Sequence, residues 1–410
     1  MLQDLPAPSH TRVALRLEPR AERAVRRGHP WVFAHGIKQQ RHKGSAGDLA
    51  VIFDSDNRFL AIGLYDPTSP IRVRVLHQGT PETIDREWFA DRIQTAHERR
   101  LPLLAQNTTG YRVVHGENDG LPGLVVDRYG DSLVMKLYTV AWIPYLSDVL
   151  ASLQGHLSPE RVVLRLSRTA QAQQEELHGL FDGQVLHGLP IHSSVLFHEN
   201  GLLFETDLIK GHKTGFFLDQ RDNRARVERL SAGRTVLNVF AYTGGFSLYA
   251  ARGGAPEVTS LDISHPALAA AERNFAHNRQ IEAVAAARHH VLPGDAFELL
   301  EELHRHGDRY GLVILDPPAF AKADREIDRA IRSYQRLTRL GLGVLSPGGV
   351  LVAASCSSRI GSDRFAEAVS TAAREAGRPL QLFEQTGHAL DHPISFPEAA
   401  YLKCLFATAP

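Results

Sequence analysis

The hydrophobic and polar positions change rhythm along the chain. Up to about residue 78, short apolar segments alternate with turn residues. LAVIFD and FLAIGLYD flank Ser55-Asp56-Asn57-Arg58, and IRVRVL follows with a two-residue period. That period sends every second side chain to the same face of a strand, which predicts a small barrel-like β domain. From 82 to 104, PETIDREWFADRIQTAHERRLPLL spaces its apolar residues for a helix. YRVVHGENDGLPGLVVDRYGDSLVMKLYT and RVVLRLS then predict a small α+β region, with TAQAQQEE and LHGLFDG as a loop or insertion. VLFHENGLLFETDL carries Asn200-Gly201 at its centre, the signal of a two-residue hairpin turn.

From about 235 the pattern becomes a regular alternation. The expected strands are TVLNVFA, EVTSLDI, ARHHVLP, YGLVILD, GVLVAAS, PLQLFEQ and YLKCLFAT. The helices between them are GFSLYAARGG, PALAAAERNFAHN, AFELLEELHRHG, EIDRAIRSYQRLTRLGLGVL and SDRFAEAVSTAAREAG. Continuous apolar strands separated by amphipathic helices predict a mostly parallel, seven-stranded sheet covered on both faces. The chain thus divides into a β-barrel-like part (1–78), a central α+β part (79–192) and a carboxy-terminal α/β part (193–410).

Composition narrows the class. At 410 residues, the chain exceeds what one hydrophobic core usually organises. Two cysteines, 48 positions apart, suggest neither a disulfide framework nor a zinc site, so no metal is expected and a reducing cytoplasm is the natural setting. No apolar run is long enough to span a membrane, and the amino terminus lacks the apolar stretch of a signal peptide. Acids and bases balance at 46 each, but residues 1–45 carry nine basic side chains against three acids. A local excess of this kind points to phosphate contact.

In a parallel sheet of this kind, ligands bind beyond the carboxyl ends of the strands. The first strand of the α/β part runs into Asn238-Val239-Phe240-Ala241-Tyr242-Thr243-Gly244-Gly245, whose paired glycines let the backbone turn sharply against a ligand. No GxGxxG is present, which disfavours a dinucleotide and hence an oxidoreductase. The second strand ends at Asp262, placed to accept both hydroxyls of a ribose, and is followed by Ile263 and Ser264. The third leads into Gly294-Asp295-Ala296, a carboxylate suited to an adenine amino group. Two acids and a glycine turn without a phosphate cradle fit S-adenosylmethionine (SAM) better than NAD.

The fourth strand ends in Asp316-Pro317-Pro318-Ala319-Phe320, a loop made rigid by two prolines and suited to holding a planar base, with Phe320 able to stack. Cys356, between serines at the end of the fifth strand, is the expected nucleophile. Carbon 5 of cytosine is a poor nucleophile until a thiolate adds at carbon 6, and an acid near ring nitrogen 3, here Asp316, must absorb the charge that develops. Methylation at a purine nitrogen would need the Asp-Pro-Pro loop but no cysteine, so the sulfur carries the choice of target atom. Cys404, in the apolar run YLKCLFAT, is read as core.

GHPWVF, HGENDGLPGLVVDRYGD, KTGFFLDQRDNR, NVFAYTGGFS, LDIS, LDPPAFAK and SCSS follow one another across nearly the whole chain. In these segments the sequence resembles the bacterial 23S ribosomal RNA cytosine-5 methyltransferases of the rRNA large subunit methyltransferase I type. The resemblance implies an amino-terminal PUA domain, a central domain and a carboxy-terminal class I, Rossmann-like methyltransferase domain. It further implies that Asn238, Phe240, Ala241, Thr243, Gly244, Asp262, Ile263, Ser264, Asp295, Ala296, Asp316 and Pro317 hold SAM. Phe217, Gln220 and Arg221 would close over the cofactor, and Cys356 with Asp316 would act on the base. The expected partner is 23S rRNA or a large-subunit assembly intermediate, gripped by Arg26, Arg27, Trp31, Phe320 and Lys322. The oligomeric state stays open, a homodimer included. One departure is His212, where Gln is expected. Relatives sharing TGFFLDQR and the Asp-Pro-Pro loop include guanine methyltransferases, so guanine-N methylation and a non-catalytic assembly factor are the alternatives.

Overall fold

The computed structural model describes residues 5–211, 213–321 and 323–410, and the chain forms two compact units. The first takes residues up to Gly201 together with Thr206–Leu218 and Asp391–Phe396. Its first sheet contains β1 (Arg12–Leu17), β2 (Trp31–Phe33), β3 (Ile37–Gln40), β4 (Leu49–Phe53), β5 (Phe59–Tyr65) and β6 (Ile71–Gln78), ordered β2-β6-β5-β4-β1-β3. Only β1 and β4 run parallel. A helix, α1 (Pro19–Arg26), follows β1. Sequence periodicity does not reveal it, because its only buried residue is Val25.

The expected helix at 82–104 is α2 (Arg86–Glu98), started by the Asp85 side chain accepting the Trp88 N–H, followed by a short α3 (Leu101–Leu104). The second sheet is β11-β10-β9-β8-β7, from β7 (Gly110–His115), β8 (Leu124–Tyr129), β9 (Ser132–Leu137), β10 (Arg161–Leu166) and β11 (Val185–His187). Helix α4 (Leu146–Leu157) packs on α2, and TAQAQQEE, expected as loop, forms the short α5 (Arg168–Gln171) and a 3-10 turn. Leu49, Ile62, Leu64 and Leu76 of the first sheet share one apolar core with Trp88, Phe89, Trp142 and Tyr145. The HGEND turn after β7 is fixed by a buried fork, Arg100 Nη1 and Nη2 donating to Asp119 Oδ1 and Oδ2 at 2.9 and 2.6 Å.

The hairpin β12 (Val195–Glu199) and β13 (Leu202–Thr206) turns at Asn200-Gly201, whose φ angles of 48° and 80° are those the two-residue turn requires.

The second unit comprises Leu202–Glu205, Asp219–Leu390 and Pro397–Pro410. All seven expected strands are present: β14 (Thr235–Val239), β15 (Glu257–Asp262), β16 (Arg288–Pro293), β17 (Tyr310–Leu315), β18 (Leu345–Ser355), β19 (Gln381–Thr386) and β20 (Lys403–Ala409). Their order is β16-β15-β14-β17-β18-β20-β19, parallel as far as β18, with β20 antiparallel to both neighbours. The sheet reverses direction beside β14, so the loops after β14 and β17 face one crevice, as the strand-end rule anticipates.

The helices are α6 (Arg221–Leu230), α7 (Gly245–Arg252), α8 (His265–His277), α9 (Glu282–Ala286), α10 (Ala296–His306), α11 (Ile327–Gly343) and α12 (Ser362–Glu375). Helix α11 buries Ala330, Tyr334, Leu337, Thr338, Gly341 and Leu342, one stripe at helical spacing. Any Cβ at Gly341 would stand 2.9 Å from Leu315 Cδ1, so that glycine permits close packing of α11 on β17. Helix α6 escaped prediction because three of its four buried residues are Arg221, Asn223 and Arg224, which no hydrophobic pattern marks.

Candidate functional site

The loop leaving β14 adopts an unusual backbone. Phe240 and Tyr242 have φ of 63° and 49°, and Gly244 follows at 76°. Two non-glycine residues in the left-handed region cost on the order of 1 kcal/mol each, and such strain survives only where surrounding bonds impose it. Those bonds are present. The Tyr242 N–H donates to Asp262 Oδ2 at 2.8 Å, the Ala241 N–H to Leu261 O at 2.9 Å, and Asn274 Nδ2 to Thr243 O at 2.9 Å. At Gly244 a Cβ would stand 2.8 Å from the Ala271 methyl, so the turn can pass close to α8 only as glycine.

Beneath the loop runs a buried polar relay. Asn238 Nδ2 donates to Ser247 Oγ at 2.9 Å, Ser247 Oγ meets Ser260 Oγ at 2.7 Å, and Ser260 Oγ lies 2.9 Å from His289 Nε2. Asn238, 1% exposed, thus orients the loop from below. His289 stacks flat on Phe275. Burial, assisted by the charge of His290, lowers the His289 pKa from 6.5 to about 4. The sign of the pH effect follows. Between pH 6.5 and 4 the unfolded chain holds a proton that the folded chain refuses, so acidification favours unfolding over that window. From pH 7 to pH 5 an effect of about 2 kcal/mol is expected. Denaturant titrations at pH 7 and pH 5 should show a smaller pH difference for His289→Asn than for the parent chain. Equal differences would refute the assignment.

At the end of β15, each oxygen of Asp262 accepts one backbone N–H, from Tyr242 and from Ser264 at 2.9 Å, and keeps a second lone pair for a hydroxyl. Ile263 is 71% exposed, a bare apolar surface beside that carboxylate, and Ser264 caps α8. Asp295 caps α10, its Oδ1 accepting the N–H groups of Phe297 and Glu298, which leaves Oδ2 for a ligand; Ala296 behind it is buried. Strained backbone, an open apolar face and carboxylates at the ends of β15, β16 and β17 suit an adenosine with a charged sulfur. SAM fits these residues. Asp262→Ala should weaken SAM binding about 10- to 100-fold, the worth of hydrogen bonds to a charged acceptor, as read by calorimetry. Unchanged affinity would remove Asp262 from the cofactor site.

Asp316, after β17, accepts Gln220 Nε2 on Oδ1 at 3.0 Å. Gln220 is itself held by Asn223 Nδ2 at 2.6 Å, and Asn223 Oδ1 accepts the Thr386 hydroxyl at 2.6 Å. Sequence reading missed the Asn223 and Thr386 links, since nothing local marks them. Arg221 is fully buried, its Nε 3.6 Å from Asp222 Oδ1. Pro317 is buried and Pro318 exposed. Phe320 is half-buried, its ring 4.9 Å from that of Tyr334.

Cys356 lies in the loop after β18, half-buried, its Sγ 3.9 Å from the Pro317 carbonyl of the Asp-Pro-Pro loop. The flanking serines answer why it sits between them. Ser355 Oγ meets the Tyr334 hydroxyl at 2.8 Å, and Ser357 Oγ donates to Ala321 O at 2.9 Å. Each serine pins one side of the cysteine. Cys404, on β20, is fully buried and its thiol is pushed well up by burial, so it is inert.

Other expected residues lie elsewhere. In the first unit, Phe217 carries the Lys213 ammonium 4.4 Å over its ring. The strand β8 holds that segment: Asp127 accepts the Thr214 hydroxyl, and the Tyr129 hydroxyl accepts the Phe216 N–H at 3.1 Å. Arg26 pairs with Glu22 and Asp54, both at 2.9 Å, so its charge is largely compensated, whereas Arg27 is exposed. Trp31 is half-buried, donates its indole N–H to Glu117 at 2.8 Å and packs edgewise on Phe396. Both Lys322 and His212 fall outside the described residues. A cavity of about 330 Å³ on the first sheet is lined by Arg16, Arg41, Gln39, Asn57 and Phe53 without a carboxylate. Its two arginines belong to the basic excess of the amino terminus but were not singled out.

Comparisons with known proteins agree with this geometry. The family described as S-adenosylmethionine-dependent methyltransferase matches residues 181–407, and the PUA-like domain family matches residues 15–78. A ribosomal RNA large subunit methyltransferase of Deinococcus radiodurans is 51% identical over 406 residues, covering 98% of both chains. A ribosomal RNA large subunit methyltransferase I of Shewanella frigidimarina is 38% identical over 96% of this chain and 99% of that one. Among solved structures, a candidate SAM-dependent methyltransferase from Streptococcus mutans superposes with a TM-score of 0.80 at 22% identity, over 97% of this chain and 100% of that one. Another, described as complexed with SAH, gives the same TM-score. At that identity these two structures speak for the fold.

Proposed function

This chain belongs to the family of S-adenosylmethionine-dependent methyltransferases that includes the ribosomal RNA large subunit methyltransferases, and from that premise we propose that it methylates carbon 5 of a cytosine in 23S rRNA, free or in an assembling large subunit, in the cytoplasm. The observation that carries the choice of atom is Cys356 beside the Asp-Pro-Pro loop, its sulfur 3.9 Å from Pro317 O. A purine-nitrogen methyltransferase has no use for a sulfur at that point.

When bound, SAM supplies a methyl group on a positively charged sulfur, an electrophile. The chain's own residues make the cytosine reactive. The Cys356 thiolate bonds to carbon 6, and the displaced π electrons spread over carbon 5 and ring nitrogen 3, where Asp316 delivers a proton. Carbon 5, now enamine-like, takes up the methyl group. Return of the nitrogen 3 proton to Asp316, loss of the carbon 5 proton to a base and rupture of the carbon–sulfur bond then restore the ring, the acid and the thiolate. Gln220, Asn223 and Thr386 fix Asp316 for this work. Asp262 and Asp295 hold the ribose and adenine, while Arg221 helps enclose the cofactor. A base inside a duplex cannot reach such a crevice, so the target is unpaired or flipped. The three-part division at 78 and 192 belongs to this reading, with the first part gripping RNA through Arg27 and the cavity of Arg16 and Arg41.

Nucleoside mass spectrometry of 23S rRNA methylated by the purified protein tests it. The expected product is 5-methylcytidine. A methylguanosine instead would overturn the assignment.

A further inference from the structure

The run YLKCLFAT places a lysine in β20, a strand paired on both edges. Lys403 is 4% exposed and stands opposite Ser355 in the antiparallel register with β18. Two of its three ammonium protons are accounted for, donated to Ser357 O at 2.5 Å and Tyr401 O at 2.9 Å. Among the described residues no carboxylate forms an ion pair with it. An ammonium buried without a counter-charge is costly, and lysines are rarely buried unless paired. The titratable group whose charge favours the ammonium is the thiol of Cys356.

We propose that Lys403 is a positioning residue that holds Cys356 as a thiolate, its ammonium serving as the buried counter-ion and anchoring the cysteine loop through Ser357. The thiol proton leaves to water, and Lys403 keeps its own. This inference rests on the reading of Cys356 as nucleophile. It supplies what that reading lacked, a source for the thiol's activation.

The groups facing the sulfur from each neighbouring element agree. On α11, Tyr334 binds Ser355, and burial together with the charges of Cys356 and Asp316 pushes its phenol up to about 12, so it stays neutral. After β17, the acid is Asp316, the proton donor to ring nitrogen 3 in this reading, held by Gln220. Lys403, on β20, is the cation among them. Burial lowers its pKa to about 8. The pair therefore exists between the pKa of the thiol and about pH 8, and is lost above that as the ammonium deprotonates.

The test is alkylation of Cys356 in the full chain by iodoacetamide across pH, mapped by peptide mass spectrometry, with SAM calorimetry as the check of folding. Lys403→Met should lower the rate at pH 7 roughly tenfold and raise the titration midpoint by about one unit, while Lys403→Arg keeps it low. Equal midpoints in the parent and in a folded Lys403→Met overturn the proposal. Should Lys403→Met not fold, ultraviolet titration of thiolate in the parent against Cys356→Ser decides the matter. A midpoint at or above the ordinary cysteine value of about 8.5 refutes the ion pair. Neither measurement uses methyl transfer, so the two readings fail separately. A Cys356→Ala variant that still methylates removes the nucleophile, whatever the midpoint.

Discussion

Cys356→Ala should lose methyl transfer by a factor on the order of 10⁴ or more, the scale seen when a covalent nucleophile is removed. The loss is expected in kcat. Cys356 is not among the groups assigned to the cofactor: Asp262, Asp295 and the strained β14 loop are set by their own hydrogen bonds, and the sulfur lies against Pro317 O. SAM affinity should therefore stay within a few-fold of the parent. Alanine also suits the position sterically, because Ser355 and Ser357 keep their bonds to Tyr334 and Ala321. A second readout makes the result specific. RNA carrying 5-fluorocytidine has no carbon 5 proton to lose, so the parent enzyme should stay bonded to it through sulfur and survive denaturing electrophoresis as an adduct. The alanine variant should form none. Turnover near the parent rate would move the chemistry to a nitrogen atom and leave the cysteine a loop filler.

The parts of this site that were legible in the sequence are those where a local pattern and a chemical residue coincide. Asp262 and Asp316 each follow an apolar strand and close it, and the glycine pair at 244 marks the sharp turn. The strand order confirms that their loops adjoin, because β14 lies between β15 and β17. Supports that come from distant chain segments were illegible. Thr386 reaches Asn223, and Lys403 reaches the carbonyl of Ser357, through contacts that only the folded sheet creates. The antiparallel insertion of β20 between β18 and β19 brings Lys403 beside the cysteine loop, and alternation of apolar residues cannot specify strand order. A charged residue inside YLKCLFAT was the available clue. The same limit hid α6, whose buried face is polar. Asp295 shows the converse. Both its bland role as a helix cap and its proposed role toward adenine can be met, since capping uses only Oδ1.

Asp316→Asn should lower kcat by about 10³, within the range lost when a general acid is removed. The substitution keeps the side chain's shape and leaves an oxygen to accept the Gln220 amide, so the Gln220–Asn223–Thr386 chain has no reason to break. What disappears is the capacity to give a proton to ring nitrogen 3. Without it, the charge driven into the ring by the thiolate has no sink, and addition at carbon 6 becomes rate-limiting. The fluorocytidine adduct should then form far more slowly in Asp316→Asn while cofactor affinity changes little. That pattern separates the proposed role on the base from the proposed role on the cofactor. If SAM affinity collapses while the few loaded molecules react at the parent rate, Asp316 serves the cofactor alone, and the proton for nitrogen 3 comes from another donor in the crevice.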